Sequence, residues 1–346
     1  MIKRDGRGGG GWVVWIGLLL PFLLCTLSAD GAPDRLTIYS ENDSPYYKPN
    51  NSTDENLTNA IGLSYHYRPE WAEELAPYIP LAGSFASAEY GAGFVAGHLM
   101  FTPEDITIAR PQPNDHPWAS FLFAGLFWQR ASKNRRVQDH VQLNVGLVGP
   151  SSGGEQLQRE VHGILDGKMP RGWDNQLPNE VTGNLHVRRT WRLFPGNLSP
   201  ISSNLEYELL PKVGGSLGTV LREVRAGMEG RFGWELPDNF GTGRLREVED
   251  ATGGYQRGFS TYAFGRVTGR AVQHDIFLDG TEFSDSPSVD RIPWVGELQL
   301  GVKLAYRASS WQFDLGYGQT FMTRKFEEQD DGHALGMWTL SFAAGF

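Results

Sequence analysis

The sequence is poor in two kinds of residue that decide where a chain can live. It has a single cysteine, Cys25, so it can form no internal disulfide, and its stability must come from burial or from a membrane. Beyond residue 32 it has no apolar run of the ~20 residues that a spanning helix needs, which excludes the inner membrane as its home. Positive charge is also scarce: 31 Lys and Arg against 40 Asp and Glu leave a net charge of -9, which argues against nucleic acid as a partner.

The one long apolar run stands at the start. Lys3, Arg4 and Arg7 precede an uncharged stretch from Trp12 to Leu27, and the small residues Ser28, Ala29 and Ala32 follow. That order describes a secretory signal peptide, residues 1–29, with cleavage as late as residue 32 in the alternative reading, leaving 33–346 as one domain. Cys25 lies inside the apolar run behind Leu23 and Leu24, which does not suit a lipoprotein.

The whole chain is rich in glycine (43 residues) and in aromatic residues (12%), a combination suited to a membrane barrel in which aromatic girdles and small lumen residues alternate. From Trp338 to Phe346, apolar Trp338, Leu340, Phe342, Ala344 and Phe346 alternate with Thr339, Ser341, Ala343 and Gly345. A period of two is a strand, because successive strand side chains point to opposite faces. Leu298, Leu300, Val302, Leu304 and Tyr306 repeat the pattern, and so do Trp311, Phe313, Leu315 and Tyr317 after a short turn at 308–310. Similar segments fall near 34–41, 58–68, 91–102, 118–130, 136–148, 180–194, 203–211, 217–232, 258–272, 293–306, 311–324 and 334–346. The expectation is an all-β transmembrane antiparallel barrel of about 12 strands, even in number so that no edge meets lipid.

One stretch breaks the alternation. After the run Gly149-Pro-Ser-Ser-Gly-Gly154, the segment from Glu155 to Asp166 reads as a short helix between strands five and six, with Leu157, Val161, Ile164 and Leu165 on one face and Ser151 or Ser152 as a cap. It carries His162, whose ring can act as base or acid at neutral pH, and read alone it is more often structural. At the end of the first strand, Glu41-Asn42-Asp43 and the later Thr58-Asn59 gather oxygens that suit calcium, against the plainer reading of an Asx-rich turn. No serine-hydrolase elbow and no His-Glu-x-x-His zinc motif occurs.

The segment Gly146-Leu-Val-Gly-Pro-Ser-Ser-Gly-Gly-Glu-Gln-Leu-Gln-Arg-Glu-Val-His162 resembles the signature of the outer-membrane lipid A 3'-O-deacylase family. The blocks Gly172-Trp-Asp-Asn-Gln-Leu177, Glu41-Asn-Asp43, Thr58-Asn59, Phe101-Thr-Pro103, Asn114-Asp115 and His274-Asp-Ile-Phe-Leu-Asp-Gly280 extend the resemblance in order along nearly the whole mature chain. The resemblance implies a site near the outer leaflet between the barrel wall and the helix, with His162 as the base that takes a proton from water. It further implies that Asn42 and Asp43 hold Ca²⁺ and that Thr58 orients His162 or the ligands. The implied function is calcium-dependent hydrolysis of the 3'-linked acyloxyacyl chain of lipid A by an integral protein of the Gram-negative outer membrane. Expected partners are lipopolysaccharide and the barrel assembly machinery, and a monomer is expected. Departures from the pattern are His116 where an arginine is usual, Leu57 where an aromatic is usual, and Arg110 as the nearest basic residue to an expected oxyanion-binding one. Rival readings are an outer-membrane phospholipase and a non-enzymatic pore or adhesin, whose narrow lumen would be plugged by pairing among Glu206, Glu208, Lys303 and Asp314.

Overall fold

A computed structural model describes residues 34–43, 56–79, 87–165, 167–250, 252–254 and 256–344. The segment expected as a signal peptide, 1–29, and Phe346 lie outside the described residues. Thirteen strands are formed among the described residues: β1 (Asp34–Asn42), β2 (Asn56–Tyr67), β3 (Ala88–Thr102), β4 (Ala119–Ser132), β5 (Val137–Val148), β6 (Glu180–Trp191), β7 (Leu193–Leu198), β8 (Ser202–Gly218), β9 (Leu221–Trp234), β10 (Gly258–Asp275), β11 (Trp294–Arg307), β12 (Trp311–Met322) and β13 (His333–Ala344). Three helices accompany them: α1 (Trp71–Glu74), α2 (Gly154–Leu165) and α3 (Ile276–Asp279).

Twelve of the strands close a cylinder. β1 pairs with β13 from Asp34↔Ala344 to Asn42↔Gly336, and β6 pairs with β8 from Asn184↔Gly218 to Thr190↔Lys212. β7 pairs only with β8 and stands outside the closed ring. The segment expected at 180–194 is therefore broken at Arg192, and the rest of it turns back along β8. A second correction concerns the gap left at 212–216 between the segments expected near 203–211 and 217–232. Gly214, Gly215 and Ser216 look like a turn, yet β8 runs through them and the turn falls at 219–220. The glycines serve close packing instead, since a Cβ on Gly214 would stand 2.5 Å from the Val187 carbonyl oxygen. Pro211, which has no N–H to donate, falls at the step between the β6 ladder and the β7 ladder on its strand.

The alternation read from the sequence is the inside–outside code of this wall. Phe94, Leu126, Leu143, Phe232, Leu300 and Phe342 point outward and are exposed, as lipid contact requires, while Thr37, Ser64, Gln142, Glu229, Lys303 and Thr339 point inward and are buried. Short turns at 133–136 and 308–310 share one end of the cylinder with Asp34 and Ala344, and the longer connections 103–118, 149–179, 276–293 and 323–332 occupy the other. Outer-membrane barrels keep short turns on the periplasmic side, so the long connections and α2 face outward from the cell.

One long connection at the periplasmic end does not hang free. Residues 235–257 between β9 and β10 fold up into the cylinder and fill it with charge pairs. Asp250 receives Arg135 at 2.9 Å and the Gln138 amide at 2.6 Å; Glu249 binds Lys303; Glu247 faces Arg225 at 2.7 Å and Arg188 at 3.6 Å. At the tip, Arg244 reaches Glu297 at 3.2 Å and Glu41 at 3.4 Å. Leu245 slots between Gly62 and Gly97, where a Cβ on Gly97 would lie 3.0 Å from its methyl. The inward charges that the pore reading would pair with one another find other partners: Lys303 takes Glu249 and Glu206 accepts from the Leu236 N–H at 2.7 Å, both on the plug, while Glu208 binds Arg231 of β9 and Asp314 accepts from Gln312 of β12 at 2.9 Å.

Candidate active site on the outer wall

The register places four residues in one row across four strands. Asn42 of β1 is opposite Asn59 of β2, Asn59 is opposite Met100 of β3, and Met100 is opposite Ser120 of β4. Neighbours along each strand, Glu41, Ala60, Leu99 and Phe121, line or pack into the interior, so the row itself faces outward. Adjacent strands lie about 4.8 Å apart, so the row spans about 14 Å of the outer surface near its extracellular rim.

β2 carries a bulge at Thr58: Leu57 pairs with Phe101 while Asn59 pairs with Met100, leaving Thr58 as the extra residue. The bulge turns Thr58 to the outer face, where its hydroxyl meets that of Thr102 at 2.7 Å. Its carbonyl accepts a hydrogen bond from the Asn42 amide at 2.9 Å. Because the nitrogen of Asn42 is engaged there, its oxygen is the end presented elsewhere. Asp43 follows directly and is buried. Asn56, at the start of β2 and opposite Thr102, is buried with a side-chain oxygen that has no hydrogen-bond partner. Sequence reading missed Asn56, since an asparagine before a strand reads as turn chemistry.

Helix α2 stands on this same outer face. Ser152 meets the Ser120 hydroxyl at the end of the row, and its own hydroxyl also donates to the Gly149 carbonyl at 2.7 Å. Neither serine expected as a cap fills that role in the described bonding; a left-handed Gly153 precedes the helix, and its carbonyl accepts from the Leu157 N–H at 3.1 Å. His98 of β3 reaches the Ser152 carbonyl at 3.1 Å. Leu157 packs on Met100, Ile106, Trp118 and Trp173, so the helix covers the Met100 position of the row. The inward face differs from the expected one: Gln158 is buried, whereas Ile164 is 73% exposed. An apolar side chain on the far face of a helix that lies against the outside of a barrel has lipid to face, so apolar periodicity does not select its protein side.

His162 is on α2 and partly buried, with Nδ1 2.6 Å from the Lys168 carbonyl. A carbonyl only accepts, so Nδ1 carries the proton and the basic lone pair is on Nε2. The structure thus joins Asn42 and Thr58 directly, sets Asp43 beside Asn42, and carries His162 on the helix seated over the same row. The remaining motif positions have other roles. Asp115 closes its loop by accepting from the Glu104 N–H at 2.9 Å, Asn114 and Arg110 are exposed, and Asp275 caps α3 by accepting from the Phe277 N–H at 3.2 Å. His116, at the position where arginine is usual, is turned inward and stacks on Phe101 at 5.3 Å.

Among the described residues, no three His, Cys, Asp or Glu side chains converge as a metal site. The side chains of Asn42, Asp43 and Asn56 offer oxygen donors with one carboxylate among them, the donor chemistry of a hard cation rather than the thiolate and imidazole ligation favoured by zinc.

The family model described as "Outer membrane protein LpxR" matches residues 14–344. The chain belongs to the LpxR family. LpxR from Salmonella typhimurium is a structural match at TM-score 0.69 and 18% identity, covering 89% of this chain and 99% of that one. The β domain of the Bordetella autotransporter BrkA also aligns, with TM-score 0.44 and 10% identity over 92% and 100% of the two chains. No curated protein matches the sequence. The family and the closed cylinder together make this LpxR-family protein an integral protein of the outer membrane.

Proposed function

We propose that this LpxR-family barrel is a calcium-dependent esterase that removes the 3'-linked acyloxyacyl chain from lipid A in the outer leaflet. The observation that carries the reading is the row Asn42–Asn59–Met100–Ser120, polar at three of its four positions on a lipid-facing wall and roofed by the helix bearing His162. Polar groups on a lipid-facing wall are costly and mark function.

In this reading Nε2 of His162 takes the proton from a water as it attacks the ester carbonyl, and the Lys168 carbonyl holds the imidazole in the needed tautomer and then stabilises the imidazolium. Asn42, Asp43 and Asn56 would hold the ion, and Thr58 positions Asn42 through its carbonyl. Bound there, calcium would polarise the scissile carbonyl and stabilise the oxyanion. The substrate arrives sideways from the leaflet, so no cleft into the lumen is needed.

The test is mass spectrometry of lipid A from cells expressing the chain or its His162→Ala variant, with parallel incubation of purified protein in excess chelator. Loss of the acyloxyacyl mass only with the intact histidine and available calcium supports the reading. A deacylating His162→Ala protein refutes the base assignment, and products from glycerophospholipid but not lipid A would assign a phospholipase.

A further inference from the structure

Above the tip of the plug the lumen widens into a chamber of about 90 Å³, on the inner side of the wall and separate from the site outside. A water needs roughly 10–15 Å³ on such a measure, so the chamber holds a cluster of waters or one small oxyanion. Most of its charges are matched: Arg244 and Arg270 share Glu297 at 3.2 and 2.9 Å, Arg270 also binds Glu223 at 2.6 Å, and Arg225 binds Glu247 at 2.7 Å.

Two cations are not matched. Arg246, at the plug tip, lies 6.0 Å from the Phe101 ring and 5.8 Å from the Phe277 ring and makes no hydrogen bond or ion pair among the described residues. Lys325, on the connection between β12 and β13, lines the same chamber, and its ammonium likewise has no such partner among the described residues. Asp275 is the carboxylate that acts most strongly on both; Glu41 also acts on Arg246 and Glu297 on Lys325, but Glu41 already binds Arg244, and Glu297 already binds Arg244 and Arg270. Cations in a partly desolvated chamber without a bonded counter-charge call for an anion.

A third group sets the kind of anion. His116 is fully buried and lines the chamber, and its Nδ1 lies 2.9 Å from the Pro117 carbonyl, so Nδ1 carries the proton. Its Nε2 has no hydrogen-bond partner. Burial and the charge of Lys325 keep the ring neutral, which makes Nε2 an acceptor that needs a donor. We propose that Arg246, Lys325 and His116 form a binding site in the barrel lumen for a protonated tetrahedral oxyanion of the phosphate class: the two cations take its charged oxygens and His116 takes its P–OH. Sulfate at neutral pH has no proton to offer and is discriminated against by the same nitrogen. A carboxylate, also without a donor hydrogen, fits less well.

Isothermal titration calorimetry on the full barrel in detergent micelles, in calcium-free buffer, tests the site. Inorganic phosphate should bind saturably, and sulfate at least about tenfold more weakly, a difference one hydrogen bond to a charged group can supply. The double variant Arg246→Met with Lys325→Met should lose phosphate affinity by at least about tenfold, and His116→Phe, which keeps the stack on Phe101, should bring phosphate and sulfate level. Glucosamine 1-phosphate, too large for a chamber of about 90 Å³ and largely without a P–OH at neutral pH, is the second probe: binding of phosphate alone supports the site, and equal binding of both overturns it. Absence of saturable binding by protein whose heat-modifiable gel band shows the folded barrel overturns the proposal, as does unchanged affinity in the double variant. With no calcium and no lipid A in the cell, the outcome is independent of the deacylase reading.

Discussion

Trp173 donates its indole N–H to the side-chain oxygen of Gln158 at 2.8 Å, and both side chains are buried between helix α2 and the connection that follows it. This bond and the Leu157 cluster fix the rotation of α2, and therefore the direction in which His162, one turn further on, can reach. Trp173→Phe leaves the Gln158 oxygen buried without a donor, a local cost of about 1–3 kcal/mol. The expected result is deacylation reduced by at least about tenfold with the barrel's heat-modifiable migration unchanged. Full activity would show that the helix is seated without this bond.

Gly154 begins α2 against the Ser120 side chain, and a Cβ there would also stand 3.0 Å from the Trp173 ring. Gly154→Val must push the helix off the wall. Lipid A analysis of cells carrying this variant should show intact acyloxyacyl chains at normal levels of folded protein.

The proposed calcium ligands are tested through metal dependence rather than through activity alone. Asn56→Leu removes the unpartnered buried oxygen and should raise the calcium concentration for half-maximal activity by about tenfold or more, with activity restored in excess calcium. An unchanged calcium requirement would remove Asn56 from the ligand set.

Glu247 is the anion shared by Arg225, Arg188 and, at 4.0 Å, Arg266. Glu247→Gln leaves these cations buried without that anion, a loss of about 3–5 kcal/mol for a broken buried pair, so the folded band should melt at a lower temperature on heated gels. In planar bilayers the intact chain should be silent and a chain shortened across 240–252 should conduct. Conductance by the intact chain would contradict a filled lumen.

Lys325 is pushed down to about 8 from the usual lysine range, chiefly by burial. The unfolded chain therefore binds one more proton than the folded one between about pH 8 and 10.5, and stability rises with pH across that window. Urea titrations from pH 8 to 10 should show that rise, and Lys325→Met should flatten it.

The wall was legible in the sequence because its physics is local. Lipid outside and polar contacts inside impose a period of two, so segments such as 298–306 and 311–317 can be assigned from their own residues. The helix was legible for the opposite reason: nothing in 155–165 alternates. What could not be read were facts of register and of long-range charge. Alternation shows that Asn59 and Ser120 share a face but not that Met100 separates them, because that depends on how far each strand is shifted against the next. The plug at 235–257 has neither strand nor helix period, and its fold is dictated by partners such as Arg35, Arg135 and Lys303 that lie far away in the chain. The gap left at 212–216 holds Gly214 and Gly215, since glycine serves a turn in one context and close strand packing in another.

The row of Asn42, Asn59, Met100 and Ser120 alternates with Glu41, Ala60, Leu99 and Phe121, so each step of one residue crosses from one compartment to the other. One thickness of polypeptide thus carries two chemical messages interleaved, and they share a single reading frame. Unless it is absorbed by a bulge, as Thr58 is, deleting or inserting one residue in β1 would exchange them, turning Asn42 into the lumen and Glu41 into lipid. These strands can tolerate many substitutions in evolution, but very few changes of length.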